Sequence, residues 1–379
     1  MTGWMTAGLA GWLLVTGIDG SWAIPSVYTP ESEERLRLVH ADSLVSISRD
    51  GEEIAELIGH VQLVQGTAYL RCQNARLWQN ENRAILSGDV TIHDGKRTLW
   101  SDRVFYEGKS RTEEAVGRVI LQSDQRRITA RRLTYLQEQQ QAKAHGDVVI
   151  SDLVEMATLE GDSAFYDRSR DYGFVEGRPR LVKKDSVSEE QMIVQGLKIE
   201  AWGEDQRVVV TDSVRIEKGD LNASCRLAEY RTEEDVLILQ EMPFVWHRDQ
   251  HMRGDRIDIL LDELDFKGSV IQGNAEIISK DSTYEDILKG RQITIEASRD
   301  TIRKVVIEGQ ASSVYHVFDE EQEERQEQGI NTVTGDRLIL TFDGDRLDRV
   351  NVESTPAQST GTYRPKRENQ KGTATEREL

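Results

Sequence analysis

The sequence predicts an all-β protein, an elongated sandwich or flattened solenoid of about ten two-strand repeats. Small residues recur about every 30 positions, and between them apolar and polar residues alternate. A period this short leaves no room for a crossover helix between the two strands of a repeat. Parallel neighbours would need such a crossover, and neighbouring strands are therefore expected to be antiparallel. The repeats open at Ala41, Cys72, Ser101, Ala130, Gly161, Gly196, Cys225, Gly254, Gly290 and Gly335.

The first half of each repeat places one apolar residue two positions before the small residue and another three positions after it. In the third repeat these are Leu99, Ser101 and Val104, with Tyr106 two positions further on. Residues separated by an even number of positions share a face of a strand. The odd step from Ser101 to Val104 therefore predicts a bulge or corner, where a small side chain permits a sharp bend.

The second half of each repeat has a strict period of two, clearest in the stretches 84–92 and 142–150. Ala, Leu, Gly, Val and Ile occupy alternate positions there, and polar residues lie between them. This pattern is typical of a half-buried strand. If each repeat adds one strand to each of two sheets, at about 4.8 Å from its predecessor in the same sheet, ten repeats would extend about 48 Å and enclose a continuous apolar seam between the two sheet faces.

Composition favours an extended, surface-rich protein over a compact α/β enzyme, which would usually be more apolar. The chain has 379 residues, of which 37% are hydrophobic and 30% charged, and its net charge is −19. This acidity, with no basic run, argues against nucleic acid as a partner. The two cysteines, Cys72 and Cys225, both occupy the small-residue position and lie five repeats apart, about 24 Å in a regular stack and too far for a disulfide.

The domain organisation follows from the termini and from one change in spacing. Residues 1–23 are predicted to be a signal peptide, because an apolar segment precedes the small-x-small triplet Ser21, Trp22, Ala23; an uncleaved anchor is the alternative. Residues 24–182 and 191–360 are predicted to form two stacks, with the charged stretch 183–190 as the joint. Residues 361–379 are expected to be a disordered polar tail.

Catalytic and metal-binding patterns are weak, so no catalytic residue, metal site or cofactor is expected. His247 and His251 lie four apart, but they fall around a strand end and a turn instead of on a helix. Asp residues recur just after the small residue, as at Asp102 and Asp162, but Arg131 occupies the equivalent position of its own repeat. We call this set of equivalent positions a column. Mixed surface ion pairing is therefore the preferred interpretation of this column.

The repeats resemble those of the OstA-like family, the organic-solvent-tolerance and lipopolysaccharide-transport proteins of the periplasm. The segments that carry the resemblance are 101–106, 130–135 and 88–92, and the similarity is clearest over 38–151. It implies a β-jellyroll, open along its length, in the periplasm of a Gram-negative-type bacterium. It also implies a carrier that shields lipopolysaccharide acyl chains, and not an enzyme.

On this resemblance, the lipid A acyl chains should contact the in-register apolar positions. These are Leu44, Val61, Leu63, Leu77, Val90, Ile92, Val104, Tyr106, Val119, Leu121, Leu133, Tyr135, Val148 and Ile150. The resemblance also implies partners in the inner and outer membranes, jellyroll subunits joined by edge-strand pairing, and possible end-to-end association of identical protomers.

Two other classes of function fit the same repeats. A structural solenoid, such as an adhesin stalk or envelope scaffold, would have a filled interior and no lipid groove. A β-helix enzyme acting on polysaccharide would place acids together on one face of neighbouring turns, which the mixed Asp and Arg column does not favour.

The C-terminal copies also depart from the pattern, because Asp212, Glu241 and Ser354 replace the glycine of the second half.

Overall fold

The structure is a computed structural model, and every regular element in its described residues is a β-strand. The described residues are 37–49, 52–65, 67–78, 81–154, 156–184, 191–262, 265–280, 284–298, 301–319, 326–344, 346–355 and 359–366. The predicted signal peptide lies outside them, as does the tail beyond residue 366. No helix long and apolar enough to cross a membrane occurs in these ranges.

The strands follow one another at short intervals along the chain. The first thirteen are β1 (Arg37–His40), β2 (Ser43–Arg49), β3 (Glu52–Gln65), β4 (Ala68–Trp78), β5 (Arg83–His93), β6 (Thr98–Glu107), β7 (Thr112–Gln122), β8 (Arg126–Leu136), β9 (Gln141–Asp152), β10 (Ala157–Asp167), β11 (Tyr172–Glu176), β12 (Arg180–Lys184) and β13 (Gln191–Gln195). The others are β14 (Lys198–Trp202), β15 (Arg207–Lys218), β16 (Leu221–Arg231), β17 (Val236–Gln240), β18 (Phe244–His247), β19 (Gln250–Arg253), β20 (Arg256–Asp262), β21 (Asp265–Lys280), β22 (Glu285–Ser298), β23 (Thr301–Asp319), β24 (Gln326–Asp343), β25 (Arg346–Glu353) and β26 (Thr360–Pro365).

The chain divides into two compact units, 1–239 and 240–379. The domain bounds inferred from the sequence, 24–182 and 191–360, stay a prediction. In the first unit, β12 pairs with β13, so the ladder continues on both sides of residues 185–190. In the second unit, β26 pairs with β24, which places 361–365, the start of the expected tail, in the sheet.

Within each unit, consecutive strands pair in antiparallel ladders, as the two-strand repeat predicted. In the first unit β3 to β10 pair in chain order. Some strands are split, so that two short strands together cover one long neighbour. The strands β1 and β2 both pair with β3, and β11 and β12 both pair with β10.

The predicted corner is confirmed by a register shift in the middle of the long strands. Between β4 and β5 the shift lies between Arg71 and Asn74, at the small residue Cys72, and between β5 and β6 it lies between Ser87 and Val90. The same shift recurs in the second unit, between Gln272 and Ala275. Each long strand is therefore two half-strands joined at a bend.

The hairpins at the end of the first half of each repeat are linked to one another by backbone hydrogen bonds. The amide of Gly108 donates to the carbonyl of Asn82, and that of Gln137 donates to Arg111, at 2.9 and 3.1 Å. The bonds continue with Arg168 to Gln140, Gly203 to Asp171 and Thr232 to Gln206. Each acceptor residue is left-handed, with φ between 43° and 53°. A regular ladder of turns thus closes this end of the first unit.

Candidate apolar binding seam

The two halves of each bent strand bury the same side of the sheet. In β5, Ala84 and Leu86 precede the corner, Val90 and Ile92 follow it, and all four are at most 6% exposed. The intervening side chains are more exposed. A bent sheet that is buried on one side along both halves must cover itself. We call this buried side of β3–β10 the seam.

Ten of the fourteen residues predicted from the sequence have buried side chains in the seam. They are Val61, Leu63, Val90, Ile92, Val104, Tyr106, Val119, Leu121, Leu133 and Val148, none more than 4% exposed. Leu77, Tyr135 and Ile150 are only partly buried. Leu44 on β2 is 56% exposed, because β2 has a strand partner on one side only within the described residues. Contact of the fourteen side chains with lipid stays a prediction.

Several corners of the second-half strands are formed by two successive left-handed residues. Gly88 and Asp89 have φ of 80° and 48°, and Gly146 and Asp147 have φ of 81° and 49°. Glycine adopts the first of these conformations without strain. Where the sequence replaces that glycine by Asp212, the backbone keeps a left-handed φ of 56°. Asp is one of the few other residue types that tolerate this region.

Charged side chains pair along the outside of the corners, as the mixed column predicted. Arg118 Nη2 donates to Asp102 Oδ1 at 2.9 Å, and Arg131 Nε donates to Asp147 Oδ2 at 2.7 Å. The hydrogen bond from the Arg118 side chain holds the pKa of Asp102 below its usual value. These pairs are exposed, so they contribute little to stability. Their charges are partnered and well solvated, which is typical of surface structure.

Charged residues from both ends of the strands influence the pKa of Tyr135. Tyr135 lies beside a hairpin, whereas Arg97 lies in the turn at the far end of β6. In a flat sheet the two ends of this ten-residue strand would be about 33 Å apart. Burial raises the pKa of Tyr135, and the positive charges of Arg168 and Arg97 act in the opposite direction. An effect of Arg97 on the pKa of Tyr135 is consistent with a sheet that folds back on itself.

The turns 94–97 and 123–126 connect the second half of one repeat to the first half of the next, and we call this end of the strands the mouth. Side chains at the mouth are more buried than those of surface turns usually are. The side chains of Arg97 and Asp94 are 16% and 18% exposed, and those of Arg126 and Asp152 are 19% and 11% exposed. Each Arg is paired with its Asp, at 2.6 and 3.3 Å. Paired charges thus border the apolar interior, which limits the desolvation cost of burying them.

One inward residue of the seam was not anticipated from the sequence. Glu113 on β7 is 1% exposed. Its strand neighbours are Tyr106 on β6 and Tyr135 on β8. The equivalent positions of the adjacent second-half strands are Ala84 and Ala142. In the sequence, the only indication was that Glu113 is acidic at a position where both adjacent repeats have alanine.

The described residues contain no group of three or more His, Cys, Asp or Glu side chains arranged to hold a metal ion. His247 and His251 lie at the hairpin between β18 and β19, and the ring of His251 packs 5.7 Å from that of Phe244. Cys72 and Cys225 are buried free thiols. Burial raises the pKa of Cys72 to about 11, so the thiolate form is disfavoured.

Comparison with known proteins gives a match to one family over part of the chain. The profile of the OstA-like protein family matches residues 33–161, which include the seam strands β3–β9. No curated protein matches the chain.

Among solved structures, one similar chain is LptH of Pseudomonas aeruginosa, described as the LptA homologous periplasmic component of the conserved lipopolysaccharide transport device. The two chains are 11% identical, and the alignment covers 46% of this chain and 82% of that one with a TM-score of 0.16.

Proposed function

We propose, on the premise that residues 33–161 are an OstA-like segment, that this protein is a periplasmic carrier of lipopolysaccharide and does not act as an enzyme. In this proposal the acyl chains of lipid A occupy the seam, and the sugar and phosphate head remains outside. An amphiphile with several acyl chains needs a continuous apolar surface shielded from water. The residues proposed to contact the acyl chains are the fourteen predicted from the sequence.

The observation that carries the proposal is the seam itself. Large apolar side chains from both halves of β3–β9 lie on one side of the sheet and are almost completely excluded from water. Leu70, Ile92 and Leu99 are each 0% exposed. Because the half-strands are joined only at the corner, they can move apart at the mouth without loss of the strand ladders. Acyl chains would then replace contacts between the two faces.

Photo-cross-linking of the purified protein to lipopolysaccharide tests this proposal. A photoreactive residue would replace Val90, Val119 or Tyr135 in the seam. Matched controls would replace Asp89 or Arg118, whose side chains are 79% and 82% exposed. We expect adducts at the seam positions and none at the controls. A folded protein without adducts at any position would contradict the carrier and favour the structural solenoid.

The partners in this proposal are jellyroll subunits of the inner and outer membranes, or another protomer, joined through an edge strand. The N-terminal edge of the first unit fits this use, because Val39, Leu44 and Val45 are 53%, 56% and 41% exposed. An edge with exposed apolar residues is a template for strand addition. Val45→Lys should weaken association between molecules, measured by analytical ultracentrifugation. Ile85→Lys, on a strand inside the sheet, is the control. The folded fraction of that variant should associate as the wild type does.

A further inference from the structure

Ser313 on β23 places a buried hydroxyl group on the inner face of the second unit. Its side chain is 0% exposed, and its hydroxyl oxygen has no hydrogen-bond partner in the part of the chain that the structure describes. On the neighbouring strands it pairs with Leu288 of β22 and with Val333 of β24, both apolar. A hydroxyl group that is buried without a partner costs free energy. A ligand that brought a hydrogen-bond acceptor to Ser313 would remove that cost.

The equivalent position in other repeats holds a larger, apolar side chain. Ser313 lies four residues after Gly309, the left-handed glycine at the corner of β23. The residues four positions after the other corners are Leu63, Ile92, Leu121, Ile150, Leu181, Ile216, Val245 and Ile277. All of these except Ile150 are at most 6% exposed. Because serine is much smaller than leucine or isoleucine, Ser313 leaves space on this face unless its neighbours close over it.

The apolar neighbours of Ser313 are less completely covered than their equivalents in the first unit. Leu288 is only partly buried. The residues at its position in the first unit are almost completely excluded from water, with exposures of at most 3% for Leu70, Leu99, Ile128 and Leu159. The space beside Ser313 is therefore not closed by tighter packing of β22.

The polarity of this inner face changes along β23. Tyr315 lies on the same side of the strand as Ser313, and its hydroxyl oxygen accepts a hydrogen bond from Asn331 Nδ2 at 2.6 Å. In the other direction, Ala311 and Ile307 are 1% and 0% exposed. A neutral polar pair thus lies on one side of Ser313 and an apolar interior on the other. This order matches a single-chain amphiphile, with its head beside Tyr315 and its chain beyond Ser313.

We propose that the second unit binds one single-chain acyl ester at Ser313. The ester carbonyl accepts a hydrogen bond from the Ser313 hydroxyl, and the acyl chain fills the space that leucine or isoleucine occupies in other repeats. A space of that size admits one acyl chain and not the several chains of lipid A. The inference goes beyond the proposed function, which concerns the first unit, and does not depend on it.

A photoreactive monoacylglycerol tests the inference. The full-length protein would be irradiated with 1-monomyristin that carries a diazirine in its acyl chain, and mass spectrometry would identify the labelled peptides. We expect label in β22 and β23 of the wild type. Ser313→Ala keeps the space but removes the donor, so the concentration required for half-maximal labelling should rise about five-fold. Ser313→Leu fills the space and should abolish label in both strands.

Ser312→Leu is the matched control and should be labelled as the wild type is. Ser312 pairs with Lys289 and Thr334, on the opposite face of the same strand. Thermal unfolding without lipid gives a second readout for Ser313→Leu. A leucine that fills a space adds contacts and should not lower the melting temperature, whereas a leucine forced into a closed interior should lower it.

Three results would overturn the inference: a wild-type protein without label in β22 and β23, a folded Ser313→Leu variant that keeps the label, or a lower melting temperature for that variant. Label confined to β3–β9 would also overturn it, but would leave the carrier intact. The carrier itself is tested separately, by the cross-links of lipopolysaccharide to Val90, Val119 and Tyr135.

Discussion

The side chain of Asp102 on β6 lies directly over the backbone of Gly117 on β7. A Cβ atom on Gly117 would stand 2.2 Å from Asp102 Oδ2, far inside van der Waals contact. Gly117 also has a φ of 106°, in the region that L-residues avoid. Two independent restraints, one steric and one conformational, therefore require glycine at this corner.

Gly117→Ala should lower the free energy of unfolding by about 2–4 kcal/mol, because it adds a collision to the backbone strain. Gly95→Ala is the matched control, since Gly95 has a φ of 89° but no atom within 4 Å of an added Cβ. That variant should lose only about 1 kcal/mol. Urea unfolding measures both, and equal losses would show that the contact with Asp102 is unimportant.

Asp94 should make the stability sensitive to acid. Burial acts to raise its pKa, but the backbone amides of Arg97 and Lys96 and the charge of Arg97 together hold that pKa below its usual value. A depressed folded-state pKa gives stability that is present above the unfolded-state pKa and lost as pH falls through the folded-state pKa. Asp94→Asn should therefore be less stable than wild type at neutral pH, and the difference should shrink below about pH 4.

Thermal unfolding from pH 7 to about pH 2 would measure this difference. Asp124→Asn, at an exposed position in the next turn, is the control and should follow the wild type throughout. A constant difference between Asp94→Asn and wild type at every pH would show that Asp94 acts through packing and not through its charge.

Leu133 tests how tightly the seam is packed. It is 0% exposed, and Leu133→Ala should lower the free energy of unfolding by about 2–5 kcal/mol, as for other large-to-small core substitutions. Leu153→Ala, at a leucine that is 51% exposed, should change stability by less than about 0.5 kcal/mol. Similar losses in chemical denaturation would contradict a close-packed seam in the absence of lipid.

Glu276 connects three strands of the second unit. Its side chain is 6% exposed, and it pairs with Arg253 of β19 and with Lys289 of β22, whose Nζ is 2.7 Å from Glu276 Oε1. Glu276→Ala should cost about 1–3 kcal/mol, because it removes charge-assisted hydrogen bonds across two ladders. Glu285→Ala, which removes an exposed pair with Lys280, should cost less than about 1 kcal/mol. A heat-unfolding scan that ranked them in the opposite order would contradict this role.

The sequence was sufficient for the repeat, the strands and the corner. Alternation from Ala84 to Ile92 predicted a half-buried strand, and the odd step from Ser101 to Val104 predicted the bend. These features are local, since they depend on side-chain parity and on the size of one residue. The same reasoning predicted the mixed ion pairs at the corners, such as Arg131 with Asp147.

The sequence did not distinguish buried from exposed members of the same column. Leu44 has the register of Val104, yet it lies on β2, which has a strand partner on one side only within the described residues, and it is 56% exposed. Nor did it identify the second left-handed residue at corners such as Gly88–Asp89, because no glycine marks that position. Glu113 has the same parity as Ala115, so the alternation alone would have placed it inward, but an acidic side chain did not suggest burial.

The hydrogen bonds between successive hairpins have a consequence for how such a chain can change in length. Each bond joins a turn only to the turn before it, as between Gln137 and Arg111, so every internal repeat offers the same donor and the same acceptor. Tandem duplication of one complete repeat would therefore preserve every bond of this ladder, whereas loss of one strand would reverse the direction of the strands that follow and interrupt the ladder. Growth by whole repeats would extend the apolar surface without new packing solutions.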